Sequence, residues 1–380
     1  MKIVIAPDSF KESLTASEVC GAIETGFATV FKEADIIKIP MADGGEGTAA
    51  ALKETLSGEW QSIIAHDPLM RPIEASYVLL PNQTAIIEMA SCAGLHLLTQ
   101  SERDPSIATT YGVGEMLLDA IDKGAKHIIL GIGGSATNDA GTGMLKALGY
   151  RFLDSQHHEL VQGGKALAAL AFIDNHAVND KIADISITVA CDVTNPLCGK
   201  LGASHVYAPQ KGATLDDIVI LDNALSHFAN IASRQNFPDN RNEAGAGAAG
   251  GLGFALMTFL SATLTGGFQL VSEFSNLEQM IQQADLVITG EGKMDFQTSM
   301  GKVASGVLSI AKAVNVPVIA ICGVVDDPHS HWKDDGFTIA IPSIQTLSSL
   351  DEALALAKQN VEKTAYNIAM AMQLGQQLNR

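Results

Sequence analysis

The sequence predicts an α/β protein of two domains. One is a doubly wound parallel-sheet domain drawn from both chain ends, and the other is a mixed α/β domain inserted between them. Three observations predict this. The 380 residues are 47% hydrophobic and 17% charged, ample for two cores at roughly 100–200 residues per domain. Both ends alternate short apolar runs with helical patterns, as parallel βαβ units do. The middle instead sets apolar runs close together, with Pro and Asn turns between them.

The opening MKIVIAPDSF reads as a short strand over 2–6 and not as a signal peptide, because its apolar run is brief and ends in Pro7-Asp8. Thr15 and Glu18 form a capping box, so a helix starts there. Val19, Ile23, Phe27 and Val30 then recur on one face. A strand over 35–39 and a helix over 47–56 follow. The middle offers strands at 60–65, 76–80 and 84–89, a helix over 112–123, a strand 127–130, a helix over 139–148, strands 185–190 and 205–208, and a helix over 215–233. From Asp285 the β-α rhythm returns with a strand 285–289, a helix 302–314, strands 316–321 and 337–341, and a final helix from Ser349. The expected boundaries fall near 65 and 284. Residues 1–65 and 284–380 form the outer domain and 66–283 the insert, with an active-site cleft at the junction.

Composition excludes several classes. The net charge of −18 and the absence of a Lys/Arg run exclude binding along a nucleic-acid backbone. Five cysteines, an odd number without a C-x-x-C, suit a reduced cytoplasmic protein. No charge occurs between Glu243 and Glu273. The glycines crowding its first third mark that stretch as a closely packed buried helix, not a membrane span. The histidines at 157, 158, 329 and 331 have no second ligand cluster at zinc spacing. Neither a P-loop nor a G-x-S-x-G elbow is present.

The stretch HIILGIGGSATNDAG at 127–141 carries the first functional signal. Gly131, Gly133 and Ala136 fit a dinucleotide-binding turn, and Asp154 lies about where such folds place a ribose-binding acid. Four other segments also follow short apolar runs: PDSFKESLT at 7–15, MADGGEGT at 41–48, ACDVTNPLCGKLGA at 190–203 and ITGEGKMDFQTSMGK at 288–302. Each mixes glycine or small polar residues with carboxylates, and three contain lysine. Glycine lets backbone N–H groups approach phosphate oxygens, and lysine neutralises them. Carboxylates hold Mg²⁺ or act as a general base. This combination suits Mg-ATP phosphoryl transfer better than a dinucleotide. Each segment also has a plain structural reading. Asp8 and Ser9 suit a turn, Asp43 and Glu46 the start of a helix, and Asn138 and Asp139 a helix cap. Asp192 and Asn195 suit an Asx turn, and Glu291, Lys293 and Asp295 surface ion pairs.

Taken together, these motifs resemble the bacterial glycerate kinases of the first type. The resemblance runs over essentially the whole chain. It rests on KIVIAPDSFKESLTA (2–16), ADGGEGT (42–48), DPLMRPIEA (67–75), GIGGSATNDAGTGML (131–145), CDVTNPLCGKLGA (191–203), PQKGA (209–213), GAGAAGGLGFAL (245–256) and ADLVITGEGKMDFQTSMGK (284–302). Two positions depart mildly from the common pattern, Ala140 and Met70, where glycine is common. The resemblance implies a flavodoxin-like outer domain, and a cytoplasmic kinase that phosphorylates D-glycerate with ATP and Mg²⁺. The implied product is 2-phosphoglycerate, with 3-phosphoglycerate as the alternative, and the implied state is a monomer or homodimer without membrane or nucleic-acid partners. A dinucleotide oxidoreductase and a non-catalytic sugar-acid binding protein are the competing classes.

On that footing, Asp192 is the expected general base, with Asp295 in reserve. Lys11 and Arg71 are expected to meet the glycerate carboxylate. Ser9, Asn138 and Asn195 complete the substrate contacts. Gly133, Gly134, Ser135, Asp139, Glu291 and Lys293 are expected around the nucleotide, and Asp43 and Glu46 around Mg²⁺.

Overall fold

The computed structural model describes residues 1–45, 47–294, 303–326, 331–347 and 349–378. The chain divides into two compact units. One holds Met1–Asp43, Ala50–Leu56 and Phe268–Arg380, and the other Gly44–Ala49 and Ser57–Gly267. The expected site residues Glu46 and Asp295 lie outside the described residues.

The first unit is built on a parallel sheet of five strands, in the order Asp35–Lys38, Lys2–Ile5, Leu286–Thr289, Val318–Cys322 and Ile339–Pro342. Counted within the sheet this is the 2-1-3-4-5 order of flavodoxin-like folds. The central strands are largely apolar because helices cover both faces. Helix Ala16–Val30 starts at Thr15, whose side chain accepts from the Glu18 N–H in the expected capping box. It buries Val19, Ile23 and Phe27 and packs along helix Ala357–Leu378, which buries Val361, Ala365 and Ile368.

The second unit contains a mixed sheet in the order Thr263–Thr265, Ser186–Ala190, His127–Gly131, Thr84–Glu88, Pro72–Leu79 and Glu59–His66. Its first four strands run parallel, and the last two turn back antiparallel. Its core gathers around Phe228 of helix Leu215–Arg234, whose ring meets Phe152, Phe254 and Phe259 at 5.7–5.8 Å between centroids. The uncharged stretch forms helix Ala248–Leu260 with a kink at its start. Among the described residues no helix is long and apolar enough to cross a membrane.

Two expected elements differ. The run at 205–208, expected as a strand, belongs to helix Ala203–Tyr207. Four residues are too few to carry a period that separates the two states. The helix expected over 139–148 begins only at Thr142, after Ala140 and Gly141 adopt positive φ.

Candidate active site

In the first unit, pairing between the two central strands continues past their ends. Ala6 N–H donates to the Ile288 carbonyl at 2.8 Å and Asp8 N–H to the Gly290 carbonyl at 2.9 Å. This brings Asp8 and Glu291 beside each other at the carboxyl ends of adjacent strands, where the sheet order reverses and where ligands bind in open α/β sheets. A cavity of about 350 Å³ opens there. Asp8, Ser9, Lys11, Asp43, Glu291 and Lys293 are among the residues that line it. The structure thus collects five of the expected site residues and adds Asp8. Ser9 N–H donates to Asp8 Oδ1 at 2.7 Å, and Lys293 Nζ lies 2.8 Å from Asp326 Oδ2. Burial and then the nearby Asp43 charge push the Asp8 carboxyl up to about 6, against the Ser9 N–H and the Lys11 charge. Two mutually repelling carboxylates beside lysines fit Mg²⁺, which takes one or two carboxylates together with phosphate oxygens. Among the described residues no group of three or more His, Cys, Asp or Glu could hold a metal by themselves, so phosphates would have to complete such a site.

In the second unit, the glycine turn after strand His127–Gly131 is held from behind. Leu95 N–H donates to the Gly134 carbonyl at 2.8 Å, and Ala136 N–H to the Ala93 carbonyl at 2.9 Å. Gly133 and Gly134 are exposed, and Gly134 has φ +71°, which suits a residue without a Cβ. Ser135 is 9% exposed. Beneath it lies Lys211, fully enclosed, whose Nζ donates to Ser135 Oγ at 2.6 Å and to the Thr137 carbonyl at 2.7 Å. Burial pulls the Lys211 ammonium down to about 7, and the Asp139 charge works against that. The kinked glycine helix closes the same turn. A Cβ on Gly250, which has φ +68°, would stand 2.1 Å from the Thr137 carbonyl oxygen.

The inner half of the turn is scaffold. Asp139 is fully buried. Its Oδ2 accepts from Thr110 N and Oγ1 at 2.9 Å and from Gly143 N at 3.1 Å, and its Oδ1 accepts from Gly141 N at 3.0 Å. Burial raises its pKa, against these hydrogen bonds. The expected contact of Asp139 with nucleotide is therefore corrected, because its oxygens are occupied by internal donors and reach no solvent. Asn138 is likewise fully buried, and its Nδ2 donates to Ser204 Oγ at 3.0 Å. Its Oδ1 is buried without a hydrogen-bond partner, and the expected substrate contact of Asn138 meets a side chain closed off from solvent. Asp154 accepts from Gln156 and His158 N–H within its own turn, and strand Arg151–Leu153 pairs antiparallel with Phe172–Asp174, outside the parallel sheet. The ribose-binding acid that a dinucleotide fold requires is thus missing from its place beside the glycine turn.

The remaining expected residues are dispersed. Asp192 is exposed just beyond strand Ser186–Ala190, and its Oδ1 accepts from Gly267 N–H at 2.9 Å. Asn195 ties its loop together, donating to the Leu201 carbonyl at 2.8 Å and accepting from Tyr207 Oη at 2.6 Å. Arg71 faces carboxylates already, with Nε 2.5 Å from Asp67 Oδ2 and Nη1 2.6 Å from Glu102 Oε1. Its pKa is raised by these two partners, Asp67 first. An arginine so paired has its positive charge largely met before any substrate arrives.

Sequence reasoning missed Lys211 and passed over Asp8 as a turn residue. Asp8 could have been found from its place directly after an apolar strand. Lys211 carried only the short PQKGA motif as a signal.

Comparison with known proteins adds whole-chain likeness. The model of the glycerate kinase family matches residues 3–373. The chain is 47% identical over 373 residues to a glycerate kinase of Haemophilus influenzae, covering 98% of this chain and 99% of that one. It is 45% identical over 380 residues to a glycerate 2-kinase of Escherichia coli, covering 99% of each. A crystal structure from Salmonella typhimurium LT2, assigned as glycerate kinase 2, superposes with a TM-score of 0.91 at 46% identity, covering 99% of each chain.

Proposed function

The chain belongs to the glycerate kinase family, and from that premise we propose that it transfers the γ-phosphoryl group of ATP, with Mg²⁺, to the 2-hydroxyl of D-glycerate. The observation that carries this reading is the cavity in which Lys11 and Lys293 share one space with Asp8 and Asp43. Phosphoryl transfer draws mainly on charge neutralisation and positioning, and this set offers both signs of charge at one strand-end site.

Lys11 and Lys293 neutralise phosphate oxygens as point charges. Asp43 with Asp8 would hold the metal, joined by Glu46 in the expected set. When bound, Mg²⁺ supplies positive charge across the phosphate oxygens. Ser9 orients Asp8 through its N–H. In the glycine turn, the Gly133 and Gly134 backbone groups and the Ser135 hydroxyl are the available donors for an anionic oxygen. Because Lys211 Nζ donates to Ser135 Oγ, the serine's own proton is directed elsewhere and is available to a ligand.

Asp192 serves as general base. It accepts the 2-hydroxyl proton as the new O–P bond forms and the bond from the γ-phosphorus to ADP breaks. Its hydrogen bond from Gly267 N–H holds the carboxylate at the end of its strand. We assign Arg71 a lesser part than the sequence suggested, since Asp67 and Glu102 already take its charge. A cytoplasmic setting and a monomeric or homodimeric state accompany this reading.

The test is ADP formation by the purified protein. It should require D-glycerate, ATP and Mg²⁺ together. ADP release that is indifferent to D-glycerate would overturn the proposal.

A further inference from the structure

We propose that the cavity of the first unit is the nucleoside site, with the purine of ATP lying against a helical apolar face and the triphosphate reaching toward the lysines. The proposal rests on the kinase reading and assigns the nucleotide to one unit.

The same cavity is also lined by Val324, Ile344, Leu350, Ala353, Leu354 and Ala357. Three of these, Leu350, Ala353 and Leu354, follow the i, i+3, i+4 spacing of one face of helix Leu350–Ala355, and Ala357 opens the helix that follows. The helical run begins at Leu350, capped by Ser349, whose side chain accepts from Glu352 N–H. Such a stripe normally packs into a core. Here it lines a cavity: Ala353 and Ala357 are buried, whereas Leu350 is 69% exposed, as Val324 is at 42%. Apolar side chains gathered around a concave space indicate an apolar occupant.

The chemistry of the two sets of residues selects that occupant. D-Glycerate is a three-carbon acid with polar atoms on every carbon, and it has nothing to place against leucines. A purine presents a flat apolar face for that purpose, and its polyphosphate requires cations at a distance from the base. Lys11 and Lys293 line the same cavity. The volume of about 350 Å³ lies within the ~300–1,000 Å³ range of sites for nucleoside-sized ligands. The position at the reversal of the sheet order is where mononucleotides bind in this topology.

The experiment compares wild type with Leu354→Ser and Leu350→Ser by calorimetric titration. The probes are the non-hydrolysable ATP analogue AMP-PNP with Mg²⁺, and inorganic tripolyphosphate with Mg²⁺. The expected result is a roughly tenfold or greater rise in the AMP-PNP Kd, with tripolyphosphate affinity and the KM for D-glycerate unchanged. Leu350 is exposed, so its variant keeps the test available if Leu354→Ser does not fold. If both folded variants bind AMP-PNP as wild type does, or if only the KM for D-glycerate rises, this assignment is overturned while the kinase reading stands. Wild type that binds no AMP-PNP overturns both.

Discussion

The Lys211 ammonium lies 2.6 Å from Ser135 Oγ, in a position wholly closed to solvent beneath the exposed glycine turn. A lysine placed there fixes the turn from below and sets which way the serine hydroxyl points. Its removal leaves Ser135 Oγ and the Thr137 carbonyl without this donor. Lys211→Met should therefore lower kcat/KM by roughly tenfold or more, on the scale of one or two lost buried hydrogen bonds.

The same residue predicts a pH dependence of stability. Burial lowers its pKa to about 7, whereas an unfolded lysine titrates near ~10.4. Between those values the unfolded chain binds the extra proton, so Lys211 makes stability rise with pH from about 7 upward. Below about 7 the charge is buried in the folded state at full cost. Urea unfolding of wild type and Lys211→Met at several pH values should show the difference moving in favour of wild type across that window. A constant difference would contradict the assignment.

Gly250 meets the turn from the other side. Alanine there would bring a Cβ within 2.1 Å of the Thr137 oxygen at φ +68°, a clash against backbone added to an unfavourable conformation. Gly250→Ala should lose more than about 2 kcal/mol in denaturant unfolding. A loss below about 0.5 kcal/mol would show that the helix and turn are not in close contact.

Asp139 provides a contrast between scaffold and ligand contact. Asn at this position keeps one acceptor oxygen and turns an NH₂ toward donors from Thr110, Gly141 or Gly143. Asp139→Asn should cost about 2–3 kcal/mol of stability, read from the urea midpoint. The KM for ATP should stay near wild type in the protein that remains folded.

Asp192→Asn should behave in the opposite way. The amide oxygen can still accept from Gly267 N–H, so the melting temperature should change little. Turnover should fall by ~10²–10⁴, the usual contribution of a general base. Near-normal turnover would remove Asp192 from the mechanism.

Much of the fold was legible because its signals are local and periodic. The Thr15–Glu18 box, the Val19–Ile23–Phe27 stripe and the apolar strands at both chain ends appear where their spacing placed them. The misread run at 205–208 was too short to carry a period, and tertiary packing decided it. The site was only partly legible. Ser9, Lys11, Asp43, Glu291 and Lys293 share a cavity, as their strand-end positions suggested. Asn138 and Asp139 looked equally polar in sequence, yet both face inward, because residues three or four apart in a turn can point to opposite sides. Lys211 could not be connected to Ser135 from sequence, since 76 residues separate them and no local pattern marks a buried lysine. The G-x-G-x-x-A spacing matched a fingerprint whose defining acid, Asp154, turned out to cap its own loop.

The central claim is tested most directly by proton-coupled phosphorus NMR of the product formed from D-glycerate and Mg-ATP. The account predicts ADP and a new phosphomonoester signal split into a doublet by the single proton on C2. A triplet would place the phosphate on the C3 methylene and contradict the assigned product, and the absence of any new phosphomonoester would contradict the kinase reading itself.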